Sequence, residues 1–290
     1  MNIEKIKEKI DGVASAFHDW PVFQERARIA AQELGPECID FMPGQFHGSA
    51  TPPPELKSEF PGYGDWMSAR QFAIFEILYH FGEASLPLLR QVGFGQYDWT
   101  QANAIRILCR LGVNGFQREQ ISEEVAEAFP TWREETIYNS IHALSHLAKY
   151  SPSLLAQLDT FVKHLATYDS VDALDILGPL AKYNSEYVRE HEKMLREIMD
   201  EHGMGIRDPL LDGQVVEERG ENGEVIMTAK SGPEHPSIPD YHAIRAALIL
   251  LGLFPDDQET LKKVEWWQQN HPDKNVRKAL AECLPGKQGR

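Results

Sequence analysis

Cysteine is scarce in this chain. Cys38, Cys109 and Cys283 are the only three in 290 residues, and no two form a CxxC pair. That spacing is explained better by free thiols packed among apolar neighbours in a reducing compartment than by disulfides or a zinc site. Long apolar runs are missing as well. The longest, AALILLGLF from Ala246 to Phe254, is nine residues, too short to cross a bilayer as a helix. At the N-terminus Glu4, Lys5, Lys7, Glu8 and Lys9 alternate in sign where a secretory leader needs an apolar stretch, so the expected location is cytoplasmic. Positive charge is also short: 29 basic residues face 44 acidic ones, for a net charge of -15. Such a field repels phosphate backbones and anionic lipid heads, so neither nucleic acid nor a membrane is expected as a partner. No GxGxxG follows a strand pattern, and neither GxxxxGK[ST] nor GxSxG occurs. The glycines of EHGMGIRD, residues 201–208, lack the strand–turn–helix context of a phosphate loop. The sequence calls for no cofactor and no metal.

What is present is helical periodicity. Ile3, Ile6, Ile10, Val13 and Phe17 step by three and four and make one apolar stripe. A second helix is expected from Pro21 to Leu34, with proline in its first turn and Gly35-Pro36 as its stop. A break follows over about 42–65, including three consecutive prolines, Pro52 to Pro54, and reads as a functional loop or a joint. From Trp66 onward helical segments succeed one another with short punctuation. Asp98 is placed as the N-cap of DWTQANAIRILCRLG, and one helix is expected over 185–201. One stretch departs from this pattern. In GQVVEERGENGEVIMTAK, residues 213–230, two β-prone runs flank Glu221-Asn222-Gly223, which predicts an inserted β-hairpin.

Internal recurrence orders these helices. LAKYSPS begins at Leu147 and LAKYNSE at Leu180, thirty-three residues later, and Leu251 and Leu284 close apolar helices at the same separation. Helix pairs recurring at such a period are the mark of a stacked solenoid, in which each pair buries one face on its neighbour. Near the end, HPDKNVRKALAECLPG places Asp273, Val276, Arg277, Ala279, Ala281 and Leu284 in a pattern that resembles the second helix of a HEAT repeat. Residues 82–112 resemble a full unit of that family, with Gln101 where valine is expected and no arginine after it. The resemblance covers 82–112 and 256–286 well and 113–201 loosely; 1–65 and the hairpin fall outside it. It implies an all-α fold, a right-handed α-α superhelix (HEAT-like, armadillo-type solenoid) carrying the hairpin. The corresponding division is an N-terminal helical cap with its Pro-rich loop over 1–65 and a repeat domain over 66–290.

Several residues could carry function. On the helix expected over about 131–149, Glu135, Asn139, His142 and His146 share the face opposite the apolar stripe. His142 and His146, four apart, could both reach one metal, but Ala143 stands where a helical metalloprotease has glutamate, and a solvated polar face accounts for them. Asp172 and Asp175, in DSVDALDILG, could share a proton, bind a cation or wall an acidic groove. Trp266 and Trp267 are adjacent, so they cannot both face inward. One indole should anchor a partner or cap the stack, and Trp267 is chosen. Glu217, Glu218, Glu221 and Glu224 would make the hairpin a charged edge or an acidic finger.

Together these point to a non-catalytic interaction scaffold. It would bind a basic protein partner in an acidic groove built on Asn139, His142, His146, Asp172 and Asp175, with the hairpin (Glu217, Glu218, Glu221) and the Pro-rich loop as its rim and Trp267 as a further binding residue. An immunity or antidote protein masking a basic toxin is one version. The alternative is an enzyme: short HEAT-like repeats are also found in bilin lyases and in alkylpurine DNA glycosylases, although a glycosylase groove must track phosphates, against the net charge.

Overall fold

The computed structural model describes residues 3–165, 173–203, 215–219, 225–230 and 241–284, the two short segments by their backbone alone. The architecture is all-α. The chain falls into two compact units, Met1–Phe161 and Val162–Arg290.

The first unit contains α1 (Ile3–Ala14), α2 (Trp20–Leu34), α3 (Asp65–His80), α4 (Leu86–Gly93), α5 (Gln101–Val113), α6 (Arg118–Ala128) and α7 (Glu134–Ala148), and α8 (Pro152–Leu165) crosses the division. The apolar stripe of α1 is buried at Ile6, Ile10 and Val13. The Asp19 carboxylate accepts from the Val22 amide at the start of α2, and Gly35, at φ 72, ends that helix in a conformation glycine adopts without penalty. α3 is buried at ten positions, including Ala73, Ile74, Phe75, Glu76, Ile77 and Leu78, which marks it as the central helix. It packs against α1 and α2 on one side and α5 on the other; α5 in turn packs on α4, α6 and α7. Asp98 lies just ahead of α5 instead of capping it directly. Its carboxylate accepts from the amide and hydroxyl of Thr100, at 2.9 and 3.1 Å, and the helix starts one residue later.

Polar bonds between successive helical pairs recur at a constant step. Arg110 donates twice to Glu76, at 2.6 and 2.8 Å, thirty-four residues away. Arg90 reaches Glu124 and Gln117 reaches Glu83 across the same interval. Asn114 reaches the Tyr79 hydroxyl, and Thr136 reaches Gln101, across thirty-five.

The region expected as a loop or joint over about 42–65 is packed. Short 3-10 turns form at Pro36–Phe41, Pro43–Gln45 and Pro54–Leu56. Met42, Phe46 and Phe60 are buried; Phe46 stacks on Phe75 at 5.2 Å, and Phe60 meets Trp66 edge-on at 5.1 Å. These anchors hold residues before α3 against it, and α1 and α2 pack on α3 as well.

The second unit contains α9 (Leu174–Tyr183), α10 (Ser185–Arg189), α11 (Glu192–Gly203), β1 (Val215–Arg219), β2 (Val225–Lys230), α12 (Tyr241–Leu253), α13 (Gln258–Asn270) and α14 (Lys274–Cys283). The single helix expected over 185–201 is two, because the amides of Glu190 and His191 bond three residues back, to Tyr187 and Val188, and tighten the turn. α12 packs on α9 and α11, α13 on α12, and α14 on α13. Asp273 caps α14, accepting from the Asn275 amide at 2.7 Å, and Arg277 reaches back to the carbonyls of His271 and Pro272. The backbones of β1 and β2 pair antiparallel from Val215 opposite Lys230, with an irregularity between Glu218 and Arg219. Among the described residues no helix is long and apolar enough to cross a membrane.

Candidate functional site

The first unit carries a groove of about 410 Å³ to which α2, α3, α5 and α7 all contribute side chains. α7 buries Ile137, Ile141 and Leu144 and leaves its other stripe facing out. Asn139 and His142 are exposed, His146 is half-buried, and all three line the groove. The rings of His142 and His146 lie 4.3 Å apart, as their spacing of one turn requires. The structure therefore gathers three of the residues singled out in the sequence.

It adds others that sequence reasoning passed over. α5 supplies Arg106 and Arg110, one turn apart; α3 supplies Tyr79, and α2 supplies Trp20. The Arg110 guanidinium lies over the Tyr79 ring at 3.9 Å, and its two bonds go to the wholly buried Glu76. Burial pushes the Arg110 guanidinium down, but the hydrogen bonds and charge of Glu76 outweigh it and hold the group above its ordinary value. Arg106 is placed differently. It lies over the Phe72 ring at 4.2 Å, and its Nε and Nη2 are buried with no hydrogen-bond partner among the described residues. Burial, reinforced by the neighbouring Arg110 charge and only partly offset by Glu76, pushes it down to about 10. Trp20 stacks on Phe23 at 5.1 Å and keeps much of its indole exposed at the edge of the groove.

This groove is not lined by acid. Its lining holds two guanidiniums, two imidazoles and amide and hydroxyl groups, and no carboxylate. An acidic groove was inferred from the net charge, but net charge is a sum over the whole surface and does not fix the sign of one concavity. A signal was available. IRILCRL, from Ile105 to Leu111, sets two arginines among apolar residues that must be buried, and in a chain short of positive charge that placement is costly without a purpose.

The remaining candidates lie elsewhere. Asp175 is in the second unit, where its carboxylate accepts from Arg245 Nη1 at 2.5 Å, so it is a structural ion-pair partner. Asp172 and Glu221 lie outside the described residues. Glu217 and Glu218 are on β1, opposite Thr228 and Met227. Trp267 is corrected as a binding anchor: it is 3% exposed and shares the buried stripe of α13 with Thr260 and Val264, whereas Trp266 is 42% exposed. Helical phase decides between them, because positions 260, 264 and 267 fall on one face. Among the described residues no three His, Cys, Asp or Glu side chains gather as a metal site. Cys38 and Cys109 are buried free thiols. Burial pushes Cys38 up to about 11 and Cys109 still further, which leaves both poor nucleophiles.

Compared with family models, with curated proteins and with solved structures, the chain matches none.

Proposed function

We propose that this chain is a non-catalytic, HEAT-like helical-repeat binding module of the cytoplasm, and that the groove over α7 is where it recognises a protein partner. The constant step of thirty-four to thirty-five residues between bonded side chains supports a repeat of helical pairs in the first unit. In the second unit the antiparallel backbone pair of β1 and β2 supports an inserted hairpin. Buried free Cys38 and Cys109 support a reducing compartment. The observation that carries the functional reading is the groove itself, where four helices converge with an exposed indole, two imidazoles and two guanidiniums. Aromatic and arginine side chains in a desolvated setting are the usual anchors of protein recognition. The partner segment that fits this lining is acidic. An antidote masking a basic toxin would suit the net charge but not this groove.

The test is a photo-reactive amino acid placed at Asn139, on the exposed face of α7, and irradiated in native extract. One protein, cross-linked through one acidic segment and rebinding in purified form with an affinity that falls as salt rises, is the expected result. Adducts confined to a small molecule, or scattered over many proteins, would remove the reading.

A further inference from the structure

We infer that the groove is an oxyanion site, with Arg106 as its anchoring donor, and that it takes a carboxylate or phosphate monoester borne on a flat or apolar body. The inference rests on the groove being the recognition site and specifies what it recognises. Charge supplies the first argument. Arg106 and Arg110 share the groove, and Glu76 is the carboxylate beside them. Both Glu76 oxygens are engaged by Arg110, at 2.6 and 2.8 Å, so Arg106 has no carboxylate of its own. Buried guanidinium N–H groups without a hydrogen-bond partner are unfavourable, and an anion that accepts from them relieves that state.

Geometry supplies the second. The Nε and Nη2 of an arginine are the two donors that make a side-on fork; in Arg106 both are unpartnered and sealed from solvent, so the guanidinium must turn toward the groove to present them. The other polar groups around the groove, Asn114, Asn139, His142 and His146, can all donate. Asn114 already donates to the Tyr79 hydroxyl at 2.5 Å, which fixes that wall. The stacked, part-exposed Trp20 offers a flat apolar face for the body of the ligand. A volume of about 410 Å³ suits one such group, either a small acid or the acidic residue of a bound segment.

The experiment titrates the full chain with inorganic phosphate and, separately, with benzoate, following binding by calorimetry at constant ionic strength set with chloride. The structure leads us to expect saturable binding of at least one probe, weakened roughly tenfold or more in Arg106→Met, since a hydrogen bond to a charged group is worth about that factor. Met keeps most of the aliphatic stem and removes the guanidinium that lies over Phe72, and with it the charge. Asn139→Trp provides a second, independent variant: its change is on an exposed helical face, and it should block the groove without touching the core. Saturation lost in either folded variant supports the site. No saturable binding of either probe, or unchanged binding in the variants, overturns it. A probe that binds while position 139 cross-links no protein keeps the oxyanion site and removes the protein-partner reading. A cross-linked protein segment with neither probe binding does the reverse.

Discussion

The two units are both helical, yet the first has a set of interhelical bonds that recurs at one step along the chain and the second, among the described residues, does not. In the first unit Glu76–Arg110, Glu124–Arg90 and Glu83–Gln117 each span thirty-four residues, one helical pair to the next. In the second, Lys263 reaches Asp200 across sixty-three, Arg189 the Leu253 carbonyl across sixty-four and Arg245 Asp175 across seventy. The first set joins each helix to one about thirty-four residues further on; the second joins helices on either side of a long intervening segment. The settings of the ties differ as well. The Glu76 side chain is 1% exposed and that of Asp175 is 48% exposed, though both pair with arginine. Of these two ion pairs the local one is buried and the longer one lies at the surface.

That contrast can be broken most forcefully with two isosteric changes. Glu76→Gln leaves the part-buried Arg110 facing a neutral amide beside Arg106, and should cost about 3 kcal/mol or more in stability. Asp175→Asn removes an exposed pair and should cost less than about 1 kcal/mol. Urea denaturation of both variants measures the difference. Equal losses would mean that burial does not separate the two kinds of tie.

The same contrast explains what could be read from the sequence. Helices α1 to α9 and α12 to α14 follow from local apolar spacing, and Asp273 announced the start of α14 because a cap acts within one turn. The packing of residues 42–60 was hidden. Phe46 and Phe60 are single aromatics in a proline-rich stretch, and their burial depends on Phe75 and Trp66 in another element. The candidate site was half legible. Asn139, His142 and His146 share one helix, so their common face follows from a period of 3.6 residues. Trp20 and Tyr79 reach the groove from α2 and α3, and no pattern within either helix marks them. The inversion of Trp266 and Trp267 has a simpler cause: adjacent positions differ only by helical phase, which Thr260 and Val264 fix.

Glycines sharpen the comparison at a smaller scale. A Cβ on Gly112, in α5, would lie 3.1 Å from Leu147 Cδ1 and 3.3 Å from Ile121 Cγ2, and both residues are fully buried. Both must give by a few tenths of an ångström inside a packed core, so Gly112→Ala should cost about 1 kcal/mol through overpacking. Gly252, in α12, has nothing within 4 Å of that position. There the helical preference of alanine acts alone, and Gly252→Ala should gain about 0.5–1 kcal/mol. Thermal denaturation should move the two midpoints in opposite directions. Movement in the same direction would show that the close approach of α5 to its neighbours is not tight.

The smallest effect separates helix starts. α7 in the first unit opens after Arg133 with no side-chain cap, while α13 in the second opens on Asp257. The Asp257 carboxylate accepts from the Thr260 hydroxyl at 2.6 Å and from Arg196 Nη2 at 3.0 Å, and its side chain is 13% exposed. Burial pushes that carboxyl up, but the bonds from Thr260 and Arg196 prevail, and it titrates below the ordinary aspartate value. A carboxyl lowered in the folded state contributes stability above its unfolded value of about 4, and that contribution is lost as pH falls through the folded value. Asp257→Ala should therefore cost about 1 kcal/mol at pH 7. The gap between variant and parent, followed by urea denaturation from pH 7 to pH 3, should narrow on the acid side. A gap that stays constant over this range would assign the cap's contribution to packing rather than to the ionised carboxylate.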